Sequence, residues 1–226
     1  MSRDLASGAA ERRKVAVLIS GRGSNLQALI EAAEAADYPA EIVLVVSNVP
    51  EVQGLKRAEA AGIPTRVLPH RDYARREDFE AALSDVLRRA GAEIVCLAGF
   101  MRVLTAGFVG AWRDRVINIH PSLLPAFPGL DTHRRALEAG VKLHGCTVHL
   151  LREAVDRGPI IGQAAVALRP GDDEDSLAAR VLDAEHRLYP RCLALLAAGR
   201  VRIEDDRAVI PDADAAGRPL YNPAAG

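Results

Sequence analysis

Lys14-Val15-Ala16-Val17-Leu18-Ile19, running straight into Ser20-Gly21-Arg22-Gly23-Ser24-Asn25, decides how this chain folds. The nearly unbroken apolar run predicts a strand covered on both faces. The glycines predict a tight turn, after which Leu26, Leu29, Ile30 and Ala33 recur at helical spacing over residues 25–36. Working outward, further strands are expected at residues 41–46, 65–68, 94–98 and 115–119. Helices are expected at 54–61 and 76–90, with a helical turn at 105–111. Four strand–crossover–strand units in succession argue an α/β fold, a Rossmann-like, doubly wound, mostly parallel sheet with right-handed crossovers. Residues 145–151 and 160–168 then face each other across the turn-like 152–159, a hairpin that extends the sheet with an antiparallel pair. A long helix over 173–198 follows, capped by Asp172 or Asp173, with Pro190 predicting a kink or restart. A small ribbon is expected from 201–203 and 208–210. The expected organisation is a tail over 1–13, a single domain over 14–205, and a ribbon and tail over 206–226.

The composition restricts function. The chain has 226 residues, 49% hydrophobic and 26% charged, and a formal net charge of −1. That balance removes the electrostatic case for general nucleic-acid binding. No apolar run approaches the roughly 20 residues that span a bilayer. Met1–Arg13 lacks the apolar centre of a signal peptide, so a cytoplasmic protein is expected. Cys96, Cys146 and Cys192 are odd in number and set among apolar neighbours, which predicts reduced, buried thiols.

Four segments carry candidate chemistry. The glycine-rich turn could let an anion approach the free N–H groups of the following helix, with Ser24 and Asn25 adding donors. It is no dinucleotide fingerprint, because Leu26 occupies the third glycine position. It is no P-loop, because no Lys follows. A plain strand–helix turn remains the alternative. In Asn118-Ile119-His120-Pro121, residues two apart at a strand end project together, so a carboxamide donor sits beside an imidazole. That pair suits oxyanion stabilisation and proton handling, or simply caps the strand. Asp156, shortly before Gly158-Pro159, is either a turn former or a carboxylate that stabilises an imidazolium at His120. Gly99-Phe100-Met101-Arg102-Val103-Leu104 forms either the wall of a flat heteroaromatic site or a buried corner. Metal chemistry is not expected: His144 and His149, five apart, point to opposite faces of a strand, and no Cys pair or HExxH helix is present. No G-x-S-x-G elbow supports a serine hydrolase.

At these residues the chain resembles the phosphoribosylglycinamide formyltransferase family. The resemblance runs over about residues 14–205 through the SGRGSN loop, LAGFMRVL (97–104), NIHPSLLPAFPG (118–129), GCTVH (145–149), VDRGPIIGQ (155–163) and AEHRLYP (184–190). It implies formyl transfer from 10-formyltetrahydrofolate, the co-substrate, to the amine of 5-phosphoribosylglycinamide in purine biosynthesis, with no metal. Asn118, His120 and Asp156 fall on the family's catalytic trio. The first two would stabilise a tetrahedral intermediate, and Asp156 would assist proton transfer. Gly23, Ser24 and Asn25 fall on the substrate-phosphate loop, and Glu185 on a carboxylate for the ribose or glycinamide end. Without the resemblance, Glu185 reads as a solvated helix face. Arg76, Met101, Arg102, Val103, Leu104 and Asn118 fall on the folate site, with Ala154, Val155 and Asp156 closing over the pterin. Asp131, before Thr132-His133, departs from some relatives and leaves the substrate rim open. The expected partners are these two small molecules, with neither nucleic acid nor membrane and with homodimerisation left open. The alternatives are a formyltetrahydrofolate deformylase, which carries an extra N-terminal domain, and a non-catalytic mononucleotide-binding module. A methionyl-tRNA formyltransferase would need a further C-terminal domain and a basic face.

Overall fold

The computed structural model describes residues 11–211 and residue 222. Of the tails expected over 1–13 and 206–226, residues 1–10, 212–221 and 223–226 fall outside these. Seven strands form one sheet in the order β3-β2-β1-β4-β5-β6-β7. Its parallel part comprises β1 (Arg13–Ile19), β2 (Ala40–Ser47), β3 (Thr65–Val67), β4 (Ile94–Leu97) and β5 (Val116–His120). β6 (Leu143–Leu150) pairs antiparallel with β5, and β7 (Ile160–Ala167) antiparallel with β6, so the predicted hairpin does extend the sheet.

Alternation along β1 explains the two-sided cover. Val15, Val17 and Ile19 enter one core with Leu26 and Leu29 of α1 (Ser24–Ala33), Leu55 of α2 (Gln53–Ala60), and Val181, Tyr189 and Leu193 of α6 (Glu174–Ala197). Ala16 and Leu18 enter the other, with Phe79, Leu83 and Leu87 of α3 (Arg76–Arg89) and Phe108 and Trp112 in and after α4 (Ala106–Ala111). A strand alternates its side chains between faces, and here both faces bury them fully. The two cores therefore share one strand.

Several expectations are refined. The sequence reading missed α5 (Thr132–Glu138) and a short 3-10 turn at His70–Asp72, both too short to show helical periodicity. Pro190 does not divide α6, which runs as one helix of 24 residues. Tyr189, Cys192 and Leu193 around it are buried, and that packing outweighs the loss of one backbone donor. Tyr38 donates its hydroxyl to the Pro190 carbonyl at 2.7 Å. Asp173, not Asp172, caps the helix in a reciprocal pair with Ser176, while Asp172 pairs with Arg180. The final ribbon, β8 (Arg202–Glu204) and β9 (Arg207–Val209), forms its own two-stranded sheet. All three cysteines are free and buried, and burial pushes their thiols up to about 12. Among the described residues, no helix is long and apolar enough to cross a membrane.

Tyr189 joins α6 to the centre of the sheet. Its fully buried hydroxyl lies 3.0 Å from the Leu97 carbonyl and 3.1 Å from the Ile117 carbonyl, so one donor serves the ends of β4 and β5. Tyr189→Phe should lower unfolding free energy by about 1–3 kcal/mol, as expected for a buried acceptor left without its donor. Urea unfolding checks this; an unchanged midpoint and slope would show that the hydroxyl is energetically silent.

Candidate active site

The strand order switches between the parallel neighbours β1 and β4, running β1 to β3 on one side and β4 to β7 on the other, and a crevice forms where the segments after them part. The turn after β1 enters α1 through Gly23, whose φ of 71° lies in the left-handed region. A Cβ there would stand 2.7 Å from the Gly54 Cα, so only glycine permits this approach of α2. Gly54 N–H donates to the Gly21 carbonyl at 3.0 Å, and Arg57 Nε–H to the Arg22 carbonyl at 3.1 Å. With those carbonyls turned toward α2, the first amides of α1 remain free of intrahelical acceptors. A cavity of about 430 Å³ opens beside Ser24, with Gln27, Arg57 and His186 in its wall. A larger cavity, about 730 Å³, lies between β7 and α6, away from every candidate residue.

Two expectations about this loop change. Asn25 does not present its carboxamide donor to the turn; Nδ2 donates to Glu185 Oε2 at 2.8 Å. Glu185 is not a solvated helix residue either, being only 6% exposed. α6 lies against α1, and tertiary packing, invisible in the helical pattern, covers that face. Burial raises the Glu185 carboxyl to about 7, against the smaller opposing effect of the Asn25 hydrogen bond.

The second group assembles around Asp156. Ile117 and Ile119 of β5 enter the core, while Asn118 and His120 alternate away from it. Antiparallel pairing sets Asn118 opposite His149 and His120 opposite Thr147. The β6–β7 connection returns Asp156 to this pair. His120 Nδ1 lies 3.5 Å from Asp156 Oδ2, and His149 Nε2 lies 3.7 Å from Oδ1. Gly129 N–H donates to Oδ2 at 2.8 Å. Asp156 itself has φ 56°, which Asp tolerates better than most residues. The connection is held by Gly158, where a Cβ would stand 1.7 Å from the Leu150 carbonyl oxygen.

Hydrogen-bond chemistry distinguishes the two histidines. His149 Nδ1 faces the Leu150 carbonyl at 3.0 Å, so that nitrogen carries the proton and Nε2 accepts from Asn118 Nδ2 at 3.3 Å. Burial pulls His149 below the usual histidine range, in keeping with this neutral ring, although Leu150 and Asp156 oppose the shift. His120 Nε2 faces the Phe127 carbonyl at 3.1 Å while Nδ1 faces a carboxylate. A buried network beneath orders the loop that carries Phe127. Thr147 Oγ1 donates to the Ser122 carbonyl at 2.7 Å and accepts from Leu124 N–H at 3.0 Å.

His149 was weighed in the sequence only as a metal ligand, and its signal there was a polar residue within the apolar GCTVH strand. His144, fully buried, packs instead against His133 and Phe127, with ring centroids at 5.3 and 5.9 Å. Among the described residues no group of three or more His, Cys, Asp or Glu is placed to hold a metal ion.

The segment after β4 combines both of its anticipated readings. Phe100 and Leu104 are buried in the core, so Leu104 offers a ligand only its backbone, whereas Met101 is 74% exposed and Val103 53%. Arg102 lies over the Phe79 ring at 5.0 Å, and Arg76 is exposed at the start of α3. Leu130 and Val155 are also exposed, while Ala154 adds a small exposed side chain. Met101, Val103, Leu130 and Val155 thus leave large apolar surface on the three segments that flank the trio.

Residues 13–193 match the formyl transferase family. The chain belongs to that family. It is 43% identical over 194 residues to a phosphoribosylglycinamide formyltransferase of Escherichia coli K12, covering 86% of this chain and 92% of that protein. It is 55% identical over 197 residues to a trifunctional purine biosynthetic protein of Drosophila melanogaster, and here the match covers 86% of this chain but only 15% of the relative. A crystal structure of glycinamide ribonucleotide transformylase 1 from Symbiobacterium toebii superposes with a TM-score of 0.87 at 44% identity, over 91% of this chain and 96% of that one. The Rossmann-like fold is therefore the family's own.

The raised Glu185 carboxyl carries a pH signature. A folded pKa near 7 against an ordinary 4.5 means the native state holds the proton more tightly. Stability from this group is complete below about 4.5 and is lost as pH rises through about 7. Glu185→Gln should therefore gain on the order of 3 kcal/mol over the parent at pH 8 and almost nothing at pH 4. Denaturant unfolding at the two pH values tests it; an equal gain at both would assign the effect to packing.

Proposed function

We propose that this chain transfers the formyl group of 10-formyltetrahydrofolate to the amine of 5-phosphoribosylglycinamide, in de novo purine biosynthesis. The observation that carries the reading is the convergence of Asn118, His120 and Asp156 at the end of β5, with His120 Nδ1 3.5 Å from Asp156 Oδ2, two strands along the sheet from the glycine-rich loop that follows β1. The names of the Escherichia coli and Symbiobacterium relatives support formyl transfer and the glycinamide ribonucleotide acceptor.

The amine nitrogen attacks the formyl carbon, a C–N bond forms, and the carbonyl π electrons move onto oxygen. Asn118 Nδ2 and the His120 imidazolium donate to that oxygen, each such donor being worth on the order of 2.7–4 kcal/mol. To do so, His120 Nε2 exchanges the Phe127 carbonyl for the substrate oxygen, and Asn118 turns from His149. Asp156, directly or through a water, takes the proton that the attacking amine gives up. The oxyanion's electron pair then re-forms the carbonyl, the bond from the formyl carbon to the folate nitrogen breaks, and the proton held by Asp156 passes to that nitrogen, restoring the carboxylate. Positioning two substrates in one crevice supplies much of the rate, and no covalent enzyme intermediate is required.

Gly23 and Ser24 receive the substrate phosphate at the start of α1. Glu185, held by Asn25, accepts hydrogen bonds from the ribose or glycinamide end. Met101, Val103 and Val155 offer apolar contact to the pterin and its neighbours, with Arg76, Arg102, the Leu104 backbone and Ala154 around them. The fit rests on the exposed apolar side chains there, which otherwise face solvent.

Mixing the protein with both substrates should release tetrahydrofolate, followed by absorbance, and omitting the amine should stop it. Folate conversion that persists at the same rate without the amine would make the protein a hydrolase. No conversion with both substrates, together with ligand binding, would favour a non-catalytic binding module. Asp156→Asn should cut turnover about a hundredfold or more while leaving folate affinity nearly unchanged. Turnover within about threefold of the parent would remove Asp156 from the proton path.

A further inference from the structure

We propose that Ser20 is a positioning residue that couples the two substrate sites, so that occupancy of the phosphate loop tightens binding at the folate wall. This rests on the formyl-transfer reading above. Ser20 opens the glycine-rich turn, and Met101 belongs to the segment after β4. β1 and β4 are neighbours in register, Leu18 beside Leu97, and the last backbone bond between them is Ala98 N–H to the Leu18 carbonyl at 2.9 Å. Beyond it the chains part toward opposite faces of the sheet. Among the described residues, no backbone hydrogen bond links residues 20–25 to residues 99–104. The Ser20 side chain provides the link: Met101 N–H donates to Ser20 Oγ at 2.8 Å.

The same hydroxyl is oriented from its other side. It has one proton, which it donates to Asn48 Oδ1 at 2.5 Å. Asn48 is 3% exposed at the end of β2 and is itself held. Its Nδ2 lies 3.2 Å from His70 Nδ1, and its backbone N–H donates to the Ile19 carbonyl at 3.4 Å. With its proton committed to Asn48, Ser20 Oγ has a lone pair left for Met101. One chain of hydrogen bonds thus joins the ends of β1, β2 and β4 and terminates on the backbone of the exposed Met101.

The consequence is energetic coupling. An anion on the first amides of α1 restrains the turn that begins at Ser20, and that restraint passes through Oγ to the amide of Met101. The wall is ordered before the folate arrives, so the second ligand loses less conformational freedom on binding. Coupling of this kind is reciprocal: each substrate tightens the other by the same factor.

The test measures tetrahydrofolate binding by calorimetry with and without saturating phosphoribosylglycinamide, for the parent, Ser20→Ala and Ser20→Thr. The parent should show about a fivefold or larger tightening. Ser20→Ala should bring the ratio close to one, and Ser20→Thr, which keeps the hydroxyl, should restore it. A parent ratio near one, or a ratio unchanged in a folded Ser20→Ala protein, overturns the coupling even where both ligands bind. Failure of the parent to bind either ligand would instead sink the substrate assignment. Should Ser20→Ala not fold, amide hydrogen exchange on the parent decides: phosphoribosylglycinamide alone should slow exchange at Met101, and an unchanged rate there overturns the proposal.

Discussion

Burial of β1 on both faces is the constraint from which the rest of the molecule follows. A strand with apolar side chains in both directions needs cover on both sides, and α1 with α6 supplies one while α3 with α4 supplies the other. Helices on opposite faces require the chain to leave neighbouring strands in opposite directions. The polar backbone of the departing turns then has no sheet partner and must be satisfied by side chains or ligands. Ser20, Asn48, Gly54 and Arg57 satisfy part of it. The first amides of α1 are left for an anion, which makes this turn a site as well as a connection.

The second element depends on a different balance. Asp156 has a side chain only 9% exposed, and a carboxylate so placed requires donors. Gly129 N–H supplies one, and His120 Nδ1 lies 3.5 Å from the same oxygen. His149 is a neutral ring, because its Nδ1 proton is committed to the Leu150 carbonyl and burial disfavours a second one. Two histidines within reach of one carboxylate thus have different hydrogen-bond partners. An imidazole and a carboxamide on one side of a crevice, with a carboxylate behind them, suit a reaction that builds negative charge on an oxygen and moves a proton.

Much of this was legible in the residues. Alternation of apolar runs with helical spacing indicated the parallel strands to within one or two positions, most clearly β1 and β4, whose buried side chains on both faces leave a continuous apolar run. The spacing of Asn118 and His120 placed them on one side of β5 for the same geometrical reason. α5 was not legible, since seven residues show too little periodicity and its burial comes from distant elements. Glu185 was misread without family resemblance for a related reason: it lies on a polar face of α6 that α1 happens to cover. Asn25, read as a free donor, proved to be the partner of that same carboxylate.

The sequence by itself determined the layered fold, the turn after β1 and the Asn118–His120 pair, because each depends on neighbours within a few residues. The tertiary structure alone decided that Asp156 meets two histidines, that Glu185 is buried against Asn25, and that Ser20 reaches Met101. Those contacts join residues 7 (His149–Asp156), 36 (His120–Asp156), 81 (Ser20–Met101) and 160 (Asn25–Glu185) positions apart. No local periodicity encodes a meeting at such separation; it follows from which strands become neighbours when the sheet closes its order.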